Sequence, residues 1–194
     1  MGTLTYSINV TLDGCIDHRE GIADEETHAW YTRQLEESDG LLWGRVVYEM
    51  MESYWPAVAR GETDASPTEV DWARTLERMP KYVVSTTRTD FPWTGSHLLT
   101  GDLRTAVQDL KDSTPSRILL GSPGLATALD RLDLIDEYRF LVHPVIAGHG
   151  PTLHGSSLPA SRHLDLVSSQ ALTNGVVALR YVPRHPCGAA LSDI

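Results

Sequence analysis

Arg117-Ile118-Leu119-Leu120-Gly121-Ser122-Pro123-Gly124-Leu125 reads as a strand that turns at once into a helix. Ile118 to Leu120 is the short apolar run of a buried strand, Ser122 suits a helix cap, and Pro123 suits the first helical position. Beyond the turn, Leu125, Ala128, Leu129 and Leu132 recur on one helical face. The same unit appears upstream. Gly40 to Gly44 (GLLWG) predicts a buried strand followed by a helix over 45–53, and Lys81 to Ser85 predicts another strand. Leu4 to Val10 alternates apolar with small polar residues, which predicts a half-buried strand ending at Leu12-Asp13-Gly14.

Helical spacing fills the intervals. Residues 24–38 place Trp30, Tyr31 and Leu35 on one side, with Asp24 or Thr27 as cap. Val70, Trp72, Ala73 and Leu76 form a second face that stops before Pro80, and Leu103, Ala106, Val107 and Leu110 form a third behind a cap at Asp102. Residues 56–67 read as a loop, and Leu98-Leu99 as a short strand. Near the end, Asn174-Gly175 predicts a hairpin between strands at 165–172 and 176–182. Alternating strands and helices imply a three-layer α/β/α fold, its sheet mostly parallel with an antiparallel C-terminal edge hairpin.

A length of 194 residues suits one domain, over 1–184, with residues 185–194 a fraying tail. Sixteen Lys plus Arg against 26 Asp plus Glu leave a formal charge of −10, which disfavours nucleic acid and anionic membrane as partners. Cys15 and Cys187 have no paired spacing, and Met1 to Val10 lacks an export pattern, so a cytoplasmic location is expected.

Three turns follow strands and could bind an anion. Gly121 to Leu125 presents backbone N–H groups at a helix start, although two glycines there also serve a tight turn alone. Gly44-Arg45 adds a guanidinium at a second helix start, with a surface ion pair as its alternative role. Ser85-Thr86-Thr87-Arg88 offers three hydroxyls and a cation, or an ordinary polar loop. Neither GxGxxG nor a phosphate-loop lysine is present. All three turns fall beyond strand carboxyl ends, where open α/β sheets bind ligands.

Several short motifs occur in a characteristic order. They are Thr11 to Gly14, Leu41 to Glu49, Tyr54-Trp55-Pro56, Lys81 to Thr87, Ile118 to Leu125, Leu134 to Tyr138, and His143 to Gly150. In that order the chain resembles the dihydrofolate-reductase-like family, in the branch containing the riboflavin-biosynthesis reductase domain and its uncharacterised relatives. The resemblance spans about residues 3–183 and implies an NADPH-dependent reductase of a small-molecule substrate, commonly a homodimer. Carried over by motif, Gly44 and Arg45 approach the dinucleotide phosphates. Ser85, Thr86 and Arg88 approach the adenosine end and its 2′-phosphate, while Gly121, Ser122, Gly124 and Leu125 turn over the pyrophosphate and nicotinamide. Val46, Val47 and Leu120 depart from the residues common in that branch, which argues against the riboflavin-pathway substrate.

Hydride transfer to a C=N or C=O bond also needs a proton source. Asp13 is the candidate acid or relay, with an Asp-Gly turn as its alternative role. Tyr48 and Trp55 are candidates to line the substrate side, or to pack. His143, His149 and His154 match no zinc spacing, and adjacent Asp136 and Glu137 point to opposite faces, so no metal is expected. The expected function is an NADPH-dependent oxidoreductase acting on a small pterin-like, pyrimidine-like or carbonyl compound. The alternatives are a non-catalytic nucleotide-binding or regulatory protein on the same fold, and a dihydrofolate reductase, for which the acidic residue expected on the first helix finds no clear counterpart.

Overall fold

β1 (Thr3–Thr11) runs through the middle of an eight-stranded sheet in the computed structural model, which describes residues 1–154 and 158–184. Its alternation is real, but its small polar face is buried too, with Thr5 at 0% and Ser7 at 8% exposure. The expectation of a half-buried strand is therefore corrected. Thr5 and Ser7 stand in register with Glu137 and Arg139 of the neighbouring strand, so polar residues face polar residues beneath a helix. Periodicity reports polarity, and here polarity does not mean solvent.

The chain continues through α1 (Glu25–Glu36), β2 (Gly40–Gly44), α2 (Arg45–Glu52), α3 (Trp55–Ala59), α4 (Pro67–Arg78), β3 (Lys81–Val84) and β4 (Ser96–Leu99). Then come α5 (Leu103–Ser113), β5 (Arg117–Leu120), α6 (Pro123–Arg131), β6 (Glu137–His143), β7 (Leu164–Ala171) and β8 (Val177–Pro183). The strand order is β4-β3-β2-β5-β1-β6-β8-β7. The first six are parallel, while β8 is antiparallel to both β6 and β7, giving the expected edge hairpin. Gly175 supports its turn at φ +84°, a backbone region open to glycine without strain. The tail at 185–194, with Cys187, lies outside the described residues.

Local signals set the helix starts. Asp24 accepts from the Thr27 N–H, and Thr27 returns a bond to the Asp24 N–H, so both candidate residues share one capping box. Ser66 and Glu69 repeat that box at α4, and Asp102 caps α5. Inside the segment expected to be a loop, Trp55 to Ala59 forms a single helical turn because Val58 finds a fully buried site. On one face of the sheet, Leu42, Leu120, Leu4 and Tyr6 pack against Val107 and Leu110 of α5 and Ala126 and Leu129 of α6. On the other, Leu41, Trp43, Leu119 and Val83 meet Leu35, Tyr48 and Leu76. Each fully buried leucine adds about 2 kcal/mol of transfer free energy. Among the described residues no helix is long and apolar enough to cross a membrane.

His143, at the end of β6, anchors the segment before α1. Its Nδ1 accepts from the Ile22 N–H at 2.9 Å, which leaves Nε2–H to donate to Asn9 Oδ1 at 2.9 Å. Burial lowers its pKa below the ordinary 6.5, with the charge of Asp24 opposing. The unfolded chain therefore binds the proton more readily, and the stabilising effect of neutral His143 is complete above about pH 6.5 and declines as pH falls toward the folded-state value. Urea midpoints measured from about pH 7.5 down to about pH 5.5 are expected to fall in the native chain and to fall less steeply in His143→Gln. Equal slopes would remove His143 from the account.

Candidate functional site

Parallel strands end on one edge, and the order of β3, β2, β5, β1 and β6 lines up the segments that follow them: Ser85 to Arg88, Gly44-Arg45, Gly121 to Leu125, Asp13, and the stretch after His143. The three sequence-predicted turns thus share one edge of the sheet. β5 enters between β2 and β1, which places the Gly44 and Gly121 turns side by side. Ser122 then does something its sequence position does not announce. Its hydroxyl caps no N–H of α6 but accepts from the Gly44 N–H at 2.8 Å, tying the two turns together.

α6 therefore begins without a side-chain cap, and so does α2, whose cap residue Gly44 has no side chain; the short α3 is likewise uncapped, whereas α1, α4 and α5 are capped. Two adjacent helix starts leave first-turn N–H groups and positive dipole ends facing the same edge. A Cβ built on Gly124 meets nothing within 4 Å, so the backbone there is open to close approach. Beside it, Ile16, Pro123, Gly124, Thr127, Pro151 and Leu153 line a cavity of about 340 Å³. A larger cavity of about 440 Å³, between Asp130, Arg162, His163 and Arg184, lies by the other end of α6.

The two cations of the edge are engaged. Arg45 Nη1 donates to Glu49 at 2.8 Å, and Arg88 donates to both carboxylate oxygens of Glu52 at 2.8 and 3.0 Å. The Ser85 hydroxyl accepts from the N–H groups of Thr87 and Arg88, which closes the loop and leaves Thr86 exposed. Asp13 is saturated: its carboxylate accepts from the Thr11 hydroxyl and from the N–H groups of Ala147 and Gly148. Those bonds, that of Thr11 foremost, lower its pKa to about 2. At pH 7 about one molecule in 10⁵ would carry the proton, so the carboxylate is a clamp on the segment after β6 and a poor acid. Gly14, at φ +84°, completes the Asp-Gly turn.

The two substrate-side candidates differ in exposure. Tyr48 has no exposed surface, and its hydroxyl accepts from the Trp93 N–H and bonds Ser96 Oγ at 3.0 Å. Trp55 is half-buried and meets Trp72 edge-on with ring centres 4.3 Å apart, in the layer of α3 and α4. Their aromatic character signals packing, and the residue that reading missed is Glu52, whose importance appears only when Arg88 meets it. His143, His149 and His154 have separate partners in Asn9, Glu20 and Asp130. Among the described residues no group of three His, Cys, Asp or Glu is placed to hold a metal.

Known proteins share this fold. The model of the family described as RibD C-terminal domain matches residues 2–178. An uncharacterised protein of Bacillus subtilis, YyaP, is 27% identical over 182 residues, covering 92% of this chain and 93% of its own. Among solved structures, a protein of Shewanella sp. PV-4 provisionally assigned to riboflavin biosynthesis superposes with a TM-score of 0.72 at 20% identity, covering 94% of this chain and 99% of that one. A pyrimidine reductase-like protein of Corynebacterium diphtheriae gives 0.63 at 14% identity, over 95% and 92%. Acinetobacter baumannii RibD gives 0.67 at 14% identity, over 95% of this chain and 58% of that longer one.

Proposed function

Because the chain belongs to the RibD C-terminal domain family, we propose that it is an NADPH-dependent reductase of a small heterocyclic or carbonyl substrate. The observation that carries this reading is the pair of uncapped helix starts joined by the Gly44–Ser122 bond, a donor set suited to a pyrophosphate. NADPH, when bound, supplies the hydride. Gly44 and Arg45 would hold one phosphate side, while Gly121, Ser122, Gly124 and Leu125 would hold the pyrophosphate and the nicotinamide side. Ser85, Thr86 and Arg88 take the adenosine end. Asp13 positions the segment after β6 through the N–H groups of Ala147 and Gly148. The protein acts in the cytoplasm as a homodimer, for which the exposed edge strand β7, with Leu166 and Val167 outward, is the surface.

A second reading is a nucleotide-binding protein without turnover, favoured by the saturated Asp13 carboxylate. Fluorescence titration with NADPH, followed by absorbance at the nicotinamide band with a pterin, pyrimidine and carbonyl panel, tests both. Saturable binding with oxidation supports the reductase. Saturable binding without oxidation across the panel favours the second reading, and no binding overturns both.

A further inference from the structure

Each of the three side-chain nitrogens of Arg88 donates a hydrogen bond. Its Nη1 and Nη2 make a two-pronged contact with Glu52, and its Nε donates to the Asp90 carbonyl at 2.6 Å. The guanidinium plane lies over the rings of Tyr48 and Phe91, 5.4 and 5.1 Å from their centres. Stacking and a bidentate carboxylate together hold a guanidinium in one plane far better than a lone surface pair does. Glu49 adds a second carboxylate at 3.7 Å from Nη1 while also pairing with Arg45. Arg45, Glu49, Arg88 and Glu52 thus form a chain of alternating charge that sums to zero, and both carboxylates stand on α2 facing the adenosine end of the edge.

We propose that Glu52 is a specificity-determining residue that occupies the fork of Arg88 and narrows the preference for a 2′-phosphorylated dinucleotide over its unphosphorylated counterpart. The inference rests on the dinucleotide reading above. A 2′-phosphate, carrying nearly two negative charges, must displace Glu52 from Arg88 and then lie against the released carboxylate. A ribose 2′-hydroxyl meets no such barrier, because it can donate to a carboxylate that remains in place. The carboxylate thus opposes one cofactor and tolerates the other.

Affinities for NADPH and NADH, measured by fluorescence titration at fixed salt, test this in the native chain, Glu52→Gln, Arg88→Gln and the double variant. The native affinities are expected to differ by less than about tenfold. Glu52→Gln is expected to tighten NADPH by about tenfold and to move NADH by less than about twofold. Arg88→Gln should weaken NADPH more than NADH, because the phosphate loses its cation and still meets the carboxylate, and adding Glu52→Gln to it should recover part of that loss by removing the like charge. Binding of both cofactors with an unchanged ratio in Glu52→Gln overturns the inference and leaves the dinucleotide reading standing. Failure of every variant to bind either cofactor overturns both.

Discussion

Gly124→Asp is expected to weaken NADPH binding by about two orders of magnitude and to leave the melting temperature unchanged or slightly higher. Gly124 is the second residue of α6, exposed, with open space where a side chain would stand. A carboxylate there interacts favourably with the helix dipole, by about 0.3–1 kcal/mol, and replacing glycine within a helix adds a similar increment. Against a bound pyrophosphate the same charge is repulsive. At about 5 Å and an effective dielectric near 20, one pair of like charges costs about 3 kcal/mol, which is about a hundredfold in affinity. Gly124→Asn has nearly the same shape without the charge and is expected to bind within about fivefold of the native chain. Equal binding by the native and Asp chains would sink the anion site at α6. Equal losses in Asp and Asn would show that the position is read by shape, with charge unimportant.

Glu137→Ala is expected to cost about 3–5 kcal/mol of folding stability, read from urea midpoints. Glu137 is 3% exposed and holds Arg139 Nε at 2.5 Å and Arg180 Nη2 at 2.5 Å, with Arg117 Nη2 at 4.0 Å. Arg139 is itself buried, also reaching Gln34 and Glu37. Removing the carboxylate leaves cations beneath α1 with too little compensation, and that desolvated charge sets the size of the loss. Glu62, which pairs with Arg60 on the surface, provides the contrast: its truncation is expected to leave stability essentially unchanged. A change below about 1 kcal/mol in Glu137→Ala would show that water enters and solvates the arginines.

Much of the edge was legible residue by residue. Gly44 and Gly121 stand at turns that do share one end of the sheet, because each directly follows a short apolar run that reads as a buried strand, and Gly124 follows in the helix that the second turn opens. Arg88 was legible as a cation near the site but not as one already paired, since Glu52 lies 36 residues away in the chain. Asp13 was legible as both a turn former and an acid. Three donors converging from Thr11, Ala147 and Gly148 decide between them, and two of those come from a distant segment. Tyr48 was ambiguous for a related reason: an aromatic side chain near a site and one inside a core look alike in sequence, and only its neighbours Trp93 and Ser96 put it inside.

The sequence by itself determined most of the elements, because the signals involved act over a few residues: the caps at Asp24 and Asp102, the Asn174-Gly175 turn, and the apolar runs of β2 and β5; α3 depended on the buried site of Val58. It also determined, through a charge of −10, that any anion site must be local. The tertiary structure alone decided that β5 inserts between β2 and β1, and from that everything specific to the edge follows. The insertion brings Ser122 to Gly44 across 78 residues of chain, so the hydroxyl that local rules assign to its own helix leaves α6 uncapped beside α2, whose glycine cap already has no side chain. Short-range preferences choose which structure each segment adopts; only long-range packing chooses which backbone donors remain free for a ligand.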